Sequence, residues 1–196
     1  MKRVRAMKEM NIVEQKKKLR MRVVEIKQSY SQRELQNLSE EVISTLELTE
    51  VFQNAKVVLA YYSMSDEVNT HEWIKRHHWQ KQFLLPMVNN SELVLKRYVS
   101  EESMLTSGFG IEEPLGNTFP EQEYDKIDLV IVPGVAFDRT LNRMGRGKGF
   151  YDRLLPKIKA PKMAICFDFQ VFDRIPANQG DIKMNMIVCQ NEIIVE

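Results

Sequence analysis

The sequence predicts an α/β fold in which a mostly parallel central sheet is flanked by helices on both faces. Short apolar, β-prone segments alternate with segments of helical periodicity along most of the chain. The length of 196 residues suits one domain, and the composition, 43% hydrophobic and 28% charged, is typical of a folded protein. We expect residues 11–196 to form a single domain and residues 1–10 to be a disordered extension.

The first element is predicted to be a basic amphipathic helix over residues 9–28. Its apolar residues recur at helical spacing, namely Ile12, Leu19, Val23 and Ile26. Up to Arg33 the chain holds 11 Lys and Arg against 3 Glu, a net charge of +8. Because the whole chain carries only +1, the remainder carries −7. This balance provides no overall attraction to nucleic acid or to a membrane surface.

A second helix is predicted over residues 32–46. Ser31 followed by Glu34 has the pattern of a capping box, in which each residue satisfies a backbone N–H of the other. Apolar residues then recur every three or four positions, as expected of a helix that buries one face.

A parallel strand, helix and strand are predicted next. Residues 56–62 form a nearly continuous apolar run, which is typical of a strand covered on both faces. A helix over residues 69–77 follows, and residues 82–85 then form a strand that Pro86 is expected to end. Two strands joined by a helix of this kind favour parallel pairing.

The second half of the chain alternates in the same way. Strands are predicted at residues 93–99, 128–132, 162–167 and 186–189, a short helix at 150–155, and a returning hairpin strand at 192–195. Residues 101–123 contain several glycines and prolines with little periodicity, so we expect a long loop that covers a site.

The cysteines indicate a reducing compartment. Cys166 and Cys189 each lie in an apolar stretch with no second Cys or His at metal-ligand spacing, so we expect reduced core thiols. The three histidines show no metal-ligand pattern either, and we expect surface or packing roles for His71, His77 and His78. No apolar run approaches membrane-spanning length and no secretory signal opens the chain, so a cytoplasmic location is expected.

The most informative segment runs over residues 142–152, with the sequence NRMGRGKGFYD. Glycines at every second position let backbone N–H groups approach an anion, and the cations between them neutralise it. The short helix that follows would add its N-terminal dipole. The segment predicts a polyphosphate site, although it matches neither the Walker loop nor the dinucleotide fingerprint. A basic surface loop without a ligand is the alternative.

This segment, together with PGVAFD at residues 133–138, resembles the signature of the 5-formyltetrahydrofolate cyclo-ligases. Lys16 and Arg20 resemble the ATP-contacting Lys and Arg of that family, and YSMSDE at residues 62–67 resembles its folate-holding turn. The resemblance implies a three-layer α/β sandwich. The family often has Gly where Leu141 stands, Tyr where Phe150 stands and an acidic residue where Asn185 stands, so the chain departs from it at these positions.

The resemblance also implies the reaction. ATP phosphorylates the formyl oxygen of 5-formyltetrahydrofolate, N10 attacks the activated carbon, and phosphate departs to leave 5,10-methenyltetrahydrofolate and ADP. Such chemistry needs positioning and charge neutralisation and no protein nucleophile. Mg²⁺ and ATP are therefore expected as cofactor and co-substrate.

Specific residues carry over from the resemblance and from the chemistry of the glycine-rich segment. The expected ATP-binding residues are Lys16, Arg20, Arg143, Met144, Gly145, Arg146, Gly147, Lys148, Gly149, Phe150 and Tyr151. The expected folate-binding residues are Tyr62, Glu67, Arg146, Gly147, Lys148, Gly149 and Phe150. Arg146, Lys148 and Tyr151 are expected to be catalytic, and Asp152 and Asp181 to bind Mg²⁺.

Two other functions fit parts of the sequence. The basic helix and the glycine-rich loop would suit a nucleic-acid-binding module, although the acidic body and the lack of interleaved aromatics speak against it. A sugar-phosphate or coenzyme A enzyme of similar architecture would need no ATP. We expect small-molecule substrates, no nucleic-acid or membrane partner, and no obligate protein partner.

Overall fold

A computed structural model describes the backbone of residues 2–106 and 112–196, and the side chains of residues 11–105 and 112–196. The helices there are α1 (Lys2–Gln28), α2 (Gln32–Glu47), α3 (Glu50–Asn54), α4 (His71–His77) and α5 (Phe150–Leu154). The strands are β1 (Val57–Leu59), β2 (Gln82–Asn89), β3 (Glu92–Arg97), β4 (Met104–Thr106), β5 (Glu112–Pro114), β6 (Thr118–Phe119), β7 (Leu129–Val132), β8 (Ala136–Asp138), β9 (Arg143–Met144), β10 (Lys162–Ile165), β11 (Val171–Phe172), β12 (Met186–Val188) and β13 (Ile193–Val195).

The centre of the molecule is an eight-stranded sheet in the order β13-β12-β10-β7-β1-β2-β3-β6. The five inner strands, from β12 to β2, are parallel to one another. Antiparallel strands complete both edges, with β13 beside β12 and with β3 and β6 beyond β2. The predicted mostly parallel sheet is therefore confirmed, as is the hairpin at the end of the chain.

Helices cover both faces of this sheet. Leu129 and Ile131 of β7 pack into a core shared with α2, α3 and α4, whereas Val130 and Val132 pack into a second core with α5 and the turns around it. All four residues are fully buried, because alternate side chains of a strand point to opposite faces and both faces are covered here. The result is the three-layer sandwich that the sequence predicts.

Helix α1 packs away from these layers, against a small sheet of order β11-β8-β9. Val23 of α1 is fully buried there beside Val135, Met144 and Ile175. No periodicity in the sequence indicates this sheet, because its strands are only two or three residues long.

The backbone of α1 is helical from Lys2, whereas a disordered extension over residues 1–10 and a helix from residue 9 were predicted. No glycine or proline occurs before Gln28 to stop the helix, and most residues there are good helix formers. The assignment of residues 11–196 to one domain stays a prediction.

Strand β2 does not end at Pro86 as expected but continues to Asn89. Its neighbour β1 pairs only as far as Leu84, whereas β3 pairs along the whole of β2. Ala60 donates its N–H to the carbonyl of Leu84, and alternate residues of a strand bond to the same side. The nitrogen of Pro86 therefore faces the side on which β1 has already ended. No neighbouring strand needs a hydrogen bond from it, so β2 can contain a proline there.

Several local predictions are confirmed. Glu34 and Ser31 form the capping box, with the Glu34 carboxylate 2.7 Å from the Ser31 backbone nitrogen. Cys166 and Cys189 are free and buried, with 3.7 Å between their sulfur atoms. The expected loop over residues 101–123 instead contains the short strands β4, β5 and β6, and its residues 107–111 lie outside the described part. Among the described helices, none is both long and apolar enough to cross a membrane.

Leu141 has the left-handed backbone conformation, with φ at 66°. Its side chain is 1% exposed, and its carbonyl accepts the N–H of Met184 at 2.9 Å. The conformation costs a side-chain-bearing residue about 1–2 kcal/mol, which glycine avoids. Leu141 thus combines backbone strain with favourable burial at a position where the resembled family often has glycine.

We therefore predict that a Gly variant is more stable than an Ala variant at this position, which is the reverse of their usual order. Leu141→Gly and Leu141→Ala both lose the buried side chain, but only Gly relieves the strain, so the Gly variant should be more stable by about 1 kcal/mol. Urea unfolding of both variants measures the difference. At Leu155, which is fully buried with φ at −59°, the Ala variant should be the more stable of the two. An Ala variant at least as stable as Gly at Leu141 would contradict the assignment of strain.

Candidate active site

A cavity of about 560 Å³ opens at the carboxyl ends of β1, β2 and β7. The chain passes from β1 to β2 on one side and returns later to β7 on the other, so β1 is a switch point of the sheet. Ligands of open α/β sheets bind at such points. Every predicted site residue lines this cavity, namely Lys16, Arg20, Tyr62, Glu67, Arg143, Met144, Gly145, Arg146, Gly147, Lys148, Gly149, Phe150, Tyr151, Asp152 and Asp181.

The turn that leads into the glycine-rich segment is organised by the buried carboxylate of Asp138. One oxygen accepts hydrogen bonds from the backbone and hydroxyl of Thr140 and from the backbone of Asn142, at 2.8–3.1 Å. The other accepts from the Asn142 side chain at 2.9 Å and the Ile175 N–H at 3.1 Å. Burial alone would raise the pKa of Asp138, but these donors lower it below its ordinary value. Sequence analysis assigned this residue no role.

Glycines in the loop allow cations to pack closely against its backbone. A Cβ on Gly145 would lie 2.8 Å from the Arg143 guanidinium, and one on Gly147 would lie 3.3 Å from that of Arg20. Gly147 also has a left-handed backbone, with φ at 96°. Glycine thus leaves room for these guanidinium groups, and at Gly147 it also suits the left-handed backbone.

Arg143 lies beneath the loop, with only 5% of its surface exposed. Its guanidinium binds Asp152 at 2.8 Å and lies 5.5 Å from the centre of the Tyr151 ring. It also donates to the carbonyl of Pro133 at 3.3 Å. Arg143 thus connects the loop to the start of α5 through Asp152.

Two cations of α1 reach the cavity from the side. Lys16 lies 2.5 Å from a carboxylate oxygen of Asp181, and Arg20 donates to the carbonyl of Gly145 at 2.9 Å. Lys17 and Lys18, on the same helix, are exposed outside the cavity. The structure therefore separates the predicted pair from its basic neighbours.

The turn over residues 62–67 forms the opposite wall. Glu67 accepts from the Met64 N–H at 3.0 Å with one oxygen and from Arg146 at 3.1 Å with the other. Arg146 also binds Asp66 at 2.6 Å, and Asp66 in turn binds Lys27 of α1 at 3.1 Å. The sequence analysis did not identify Asp66 or Lys27, since the pairing depends on distant parts of the chain.

Aromatic side chains provide flat surfaces inside the cavity. The ring of Tyr62 stacks on His71, with centroids 3.7 Å apart and planes at 17°. His71 is fixed by a 2.9 Å contact between its Nε2 and the carbonyl of Ser63, so its predicted packing role includes supporting Tyr62. Burial raises the pKa of Tyr151 well above its ordinary value, and its hydroxyl therefore stays protonated.

An apolar wall completes the cavity and was not foreseen. It consists of Val13, Leu85, Pro86, Val88 and Leu93. The extension of β2 beyond Pro86 supplies part of this wall. An apolar wall facing a charged loop suits a ligand that has both a flat organic ring and an anionic group.

The two predicted metal ligands both line the cavity, but each is paired with a cation. Asp152 binds Arg143 and Asp181 binds Lys16. Within the described side chains, no three His, Cys, Asp or Glu residues are grouped to hold a metal. Two carboxylates, Asp152 and Asp181, fit a Mg²⁺ ion that takes its other ligands from phosphate and water, because Mg²⁺ commonly uses only one or two carboxylates.

Asn185 does not line the cavity. Its side-chain oxygen accepts the backbone N–H of Lys162 at 2.8 Å, at the start of β10. The departure from the family pattern at Asn185 thus lies away from Asp152 and Asp181.

The chain is similar to known proteins over most of its length. Residues 12–190 match the model of the 5-formyltetrahydrofolate cyclo-ligase family. A mouse 5-formyltetrahydrofolate cyclo-ligase is 29% identical over 154 residues, which cover 71% of this chain and 76% of the mouse protein. The solved structure of 5,10-methenyltetrahydrofolate synthetase from Aquifex aeolicus is 35% identical, covers 91% of each chain and has a TM-score of 0.81. The corresponding structure from Mycoplasma pneumoniae, 24% identical with a TM-score of 0.69 over 90% of this chain and 99% of its own, shares the fold.

We predict that Asp138→Asn lowers the free energy of unfolding by about 2–4 kcal/mol, because an amide cannot accept from all five donors. Since the pKa of Asp138 is lowered in the folded state, its contribution is present above the unfolded-state pKa of about 3.9 and is lost as the pH falls through the folded-state pKa. The difference between wild type and variant should therefore shrink below about pH 4.

Urea unfolding between pH 7 and pH 3 measures this difference. Asp173→Asn is the matched control, because Asp173 is exposed on the neighbouring segment, and its effect should stay within about 0.5 kcal/mol. Equal effects of the two substitutions at pH 7 would show that the Asp138 network does not stabilise the fold.

Proposed function

Because the chain belongs to the 5-formyltetrahydrofolate cyclo-ligase family, we propose that it converts 5-formyltetrahydrofolate to 5,10-methenyltetrahydrofolate, with Mg-ATP converted to ADP and phosphate. One observation carries the proposal. The glycine-rich loop, with the exposed cation Lys148, lines the same cavity as the carboxylate of Glu67. A phosphate site and a pterin site in one cavity would bring the reacting atoms of the two substrates together.

In the proposed reaction the formyl oxygen attacks the γ-phosphorus of ATP, and ADP leaves. N10 then attacks the formyl carbon and loses its proton, and phosphate leaves with the former formyl oxygen. The enzyme has to hold two substrates in line and neutralise the transferred phosphoryl group. The cavity offers cations and backbone donors for this purpose, and no side chain needs to form a covalent intermediate.

On the ATP side, we assign phosphate contacts to Lys16, Arg20 and Lys148. Lys148 is exposed and makes no ion pair with any described side chain, so its charge is available to a ligand. Arg143 is assigned to support the loop from below, since its guanidinium is held by Asp152. Mg²⁺ would be held by Asp152 and Asp181 together with phosphate oxygens, and would neutralise part of the triphosphate charge.

On the folate side, we assign Glu67 to the amide and amino edge of the pterin, which offers donors to a carboxylate. Tyr62 and Phe150 provide flat surfaces, and Tyr62 is already held by His71. The protonated hydroxyl of Tyr151 can donate a hydrogen bond to the oxygen that transfers between substrates. Arg146 and Lys148 are assigned to stabilise charge on that group.

A nucleic-acid-binding role has less support. Lys16, Arg20 and Lys27 of α1 turn toward protein groups around the cavity and away from an open surface. We further propose a cytoplasmic location, because Cys166 and Cys189 are buried in the core as small apolar side chains and the chain is not rich in cysteine.

The direct test is to mix the protein with Mg-ATP and 5-formyltetrahydrofolate and to follow the absorbance of the methenyl product. We expect turnover that requires both substrates, and a loss of about 100-fold or more in Lys148→Ala, which removes a phosphate-neutralising charge. Lys159→Ala, at an exposed lysine outside the cavity, should retain wild-type activity. The proposal fails if the wild-type protein forms no methenyl product, and the role of Lys148 fails if both variants are equally active.

The two faces of α1 provide a second test. Replacing Lys16 and Arg20 together by Gln should raise the Michaelis constant for ATP about tenfold or more and leave that for folate nearly unchanged, because both charges address phosphate. The matched control replaces Lys17 and Lys18 by Gln, which removes the same charge from the exposed face of the same helix. Equal effects of the two double substitutions would mean that α1 acts only through its overall positive field.

A further inference from the structure

Both carboxylate oxygens of Glu67 are engaged within the protein. Oε2 accepts the Met64 N–H at 3.0 Å, and Oε1 accepts from Arg146 at 3.1 Å. A pterin edge that offers two adjacent donors needs both oxygens of a carboxylate. A pterin bound to Glu67 would therefore share Oε1 with Arg146, and each donor weakens the hydrogen bond of the other.

Arg146 is held by a second carboxylate as well. Its Nη2 lies 2.6 Å from Asp66, which is closer than its contact with Glu67. Asp66 is anchored in turn by Lys27, whose side chain is 7% exposed and also donates to the carbonyl of Asp66. Burial alone would raise the pKa of Asp66, but Lys27 and Arg146 lower it, so this carboxylate is ionised at neutral pH.

The backbone of Arg146 nevertheless belongs to the phosphate loop, between Gly145 and Gly147. Its side chain thus extends from the loop to the folate turn, and its charge is balanced by two carboxylates there. The Arg146 side chain is 46% exposed, and ion pairs with this much solvent contact are weak enough for a ligand to break.

We propose that Arg146 exchanges between the folate turn and the phosphates of ATP, that folate binding drives the exchange by taking Glu67, and that Asp66 is the positioning residue that restrains Arg146 while the site is empty. This inference rests on the proposed function. Once the pterin occupies Glu67, only Asp66 competes with the phosphates for Arg146. Folate binding therefore strengthens ATP binding, and ATP strengthens folate binding by the same factor.

The exchange also limits the hydrolysis of ATP when folate is absent. Without the pterin, Arg146 stays on the folate turn and its charge is withheld from the γ-phosphate. Water would otherwise be the acceptor available to a fully neutralised phosphoryl group. Asp66 thus favours transfer to the formyl oxygen over hydrolysis.

The experiment measures the dissociation constant of a non-hydrolysable ATP analogue with Mg²⁺, by calorimetry, with and without 5-formyltetrahydrofolate. In the wild-type protein, folate should tighten binding of the analogue about 5- to 10-fold, within the usual range for coupled sites. In Arg146→Gln the affinity without folate should be close to wild type and folate should produce no gain. In Asp66→Asn the affinity without folate should be about 3- to 5-fold tighter than in wild type.

The Asp66 result separates restraint of Arg146 from a general structural role. A variant that merely loosened the turn would bind the analogue more weakly or unchanged, whereas release of Arg146 makes binding tighter. Asp125→Asn, which removes the same charge at an exposed position outside the cavity, should change neither affinity. An unchanged or weaker affinity in Asp66→Asn would overturn the inference. If Asp66→Asn does not fold, Arg146→Gln still tests the inference independently.

The possible failures are distinguishable. If the analogue and folate both bind but do so independently, or if Arg146→Gln keeps the full gain, the inference is wrong and the proposed function stands. If neither compound binds the wild-type protein, the proposed function falls and this inference falls with it.

Discussion

The geometry of the site depends on the buried carboxylate of Asp138. It gathers five donors from the turn after β8 and from the segment at Ile175, and so joins two parts of the chain that the main sheet does not connect. The small sheet formed around it carries the glycine-rich loop on one side and supports α1 on the other. A strained Leu141 is tolerated in this turn because the network and the surrounding core determine the backbone together.

Helix α1 explains the uneven charge of the chain. Three of its cations contact groups in or beside the cavity: Lys16 binds Asp181, Arg20 binds the carbonyl of Gly145, and Lys27 binds Asp66 next to Glu67. The helix is therefore a shared side wall for both halves of the site. Its positive charge faces the acidic body of the protein, which lowers the electrostatic repulsion within each part.

Much of the fold could be predicted because its signals are local. The buried strands, the capping box and the glycine-rich loop each occupy a few consecutive residues whose chemistry indicates their structure. The missed features depend on distant partners. Asp138 meets Ile175 and Lys27 meets Asp66 only after folding, and Pro86 is tolerated only because β1 stops short of it. The cations of the glycine-rich loop were indicated by their own spacing, whereas the distant residues Lys16, Arg20 and Glu67 were indicated only by the family resemblance.

The contact between Lys16 and Asp181 spans 165 residues of sequence. During synthesis, Lys16 and Arg20 of α1 are made long before their partners, because Asp181 follows Lys16 by 165 residues and Gly145 of the glycine-rich loop follows Arg20 by 125 residues. The central strands can pair earlier, because their contacts are closer in sequence. A nascent chain can therefore pair β1, β2 and β7 before Lys16 can meet Asp181, and this side of the cavity forms only after Asp181 has been made.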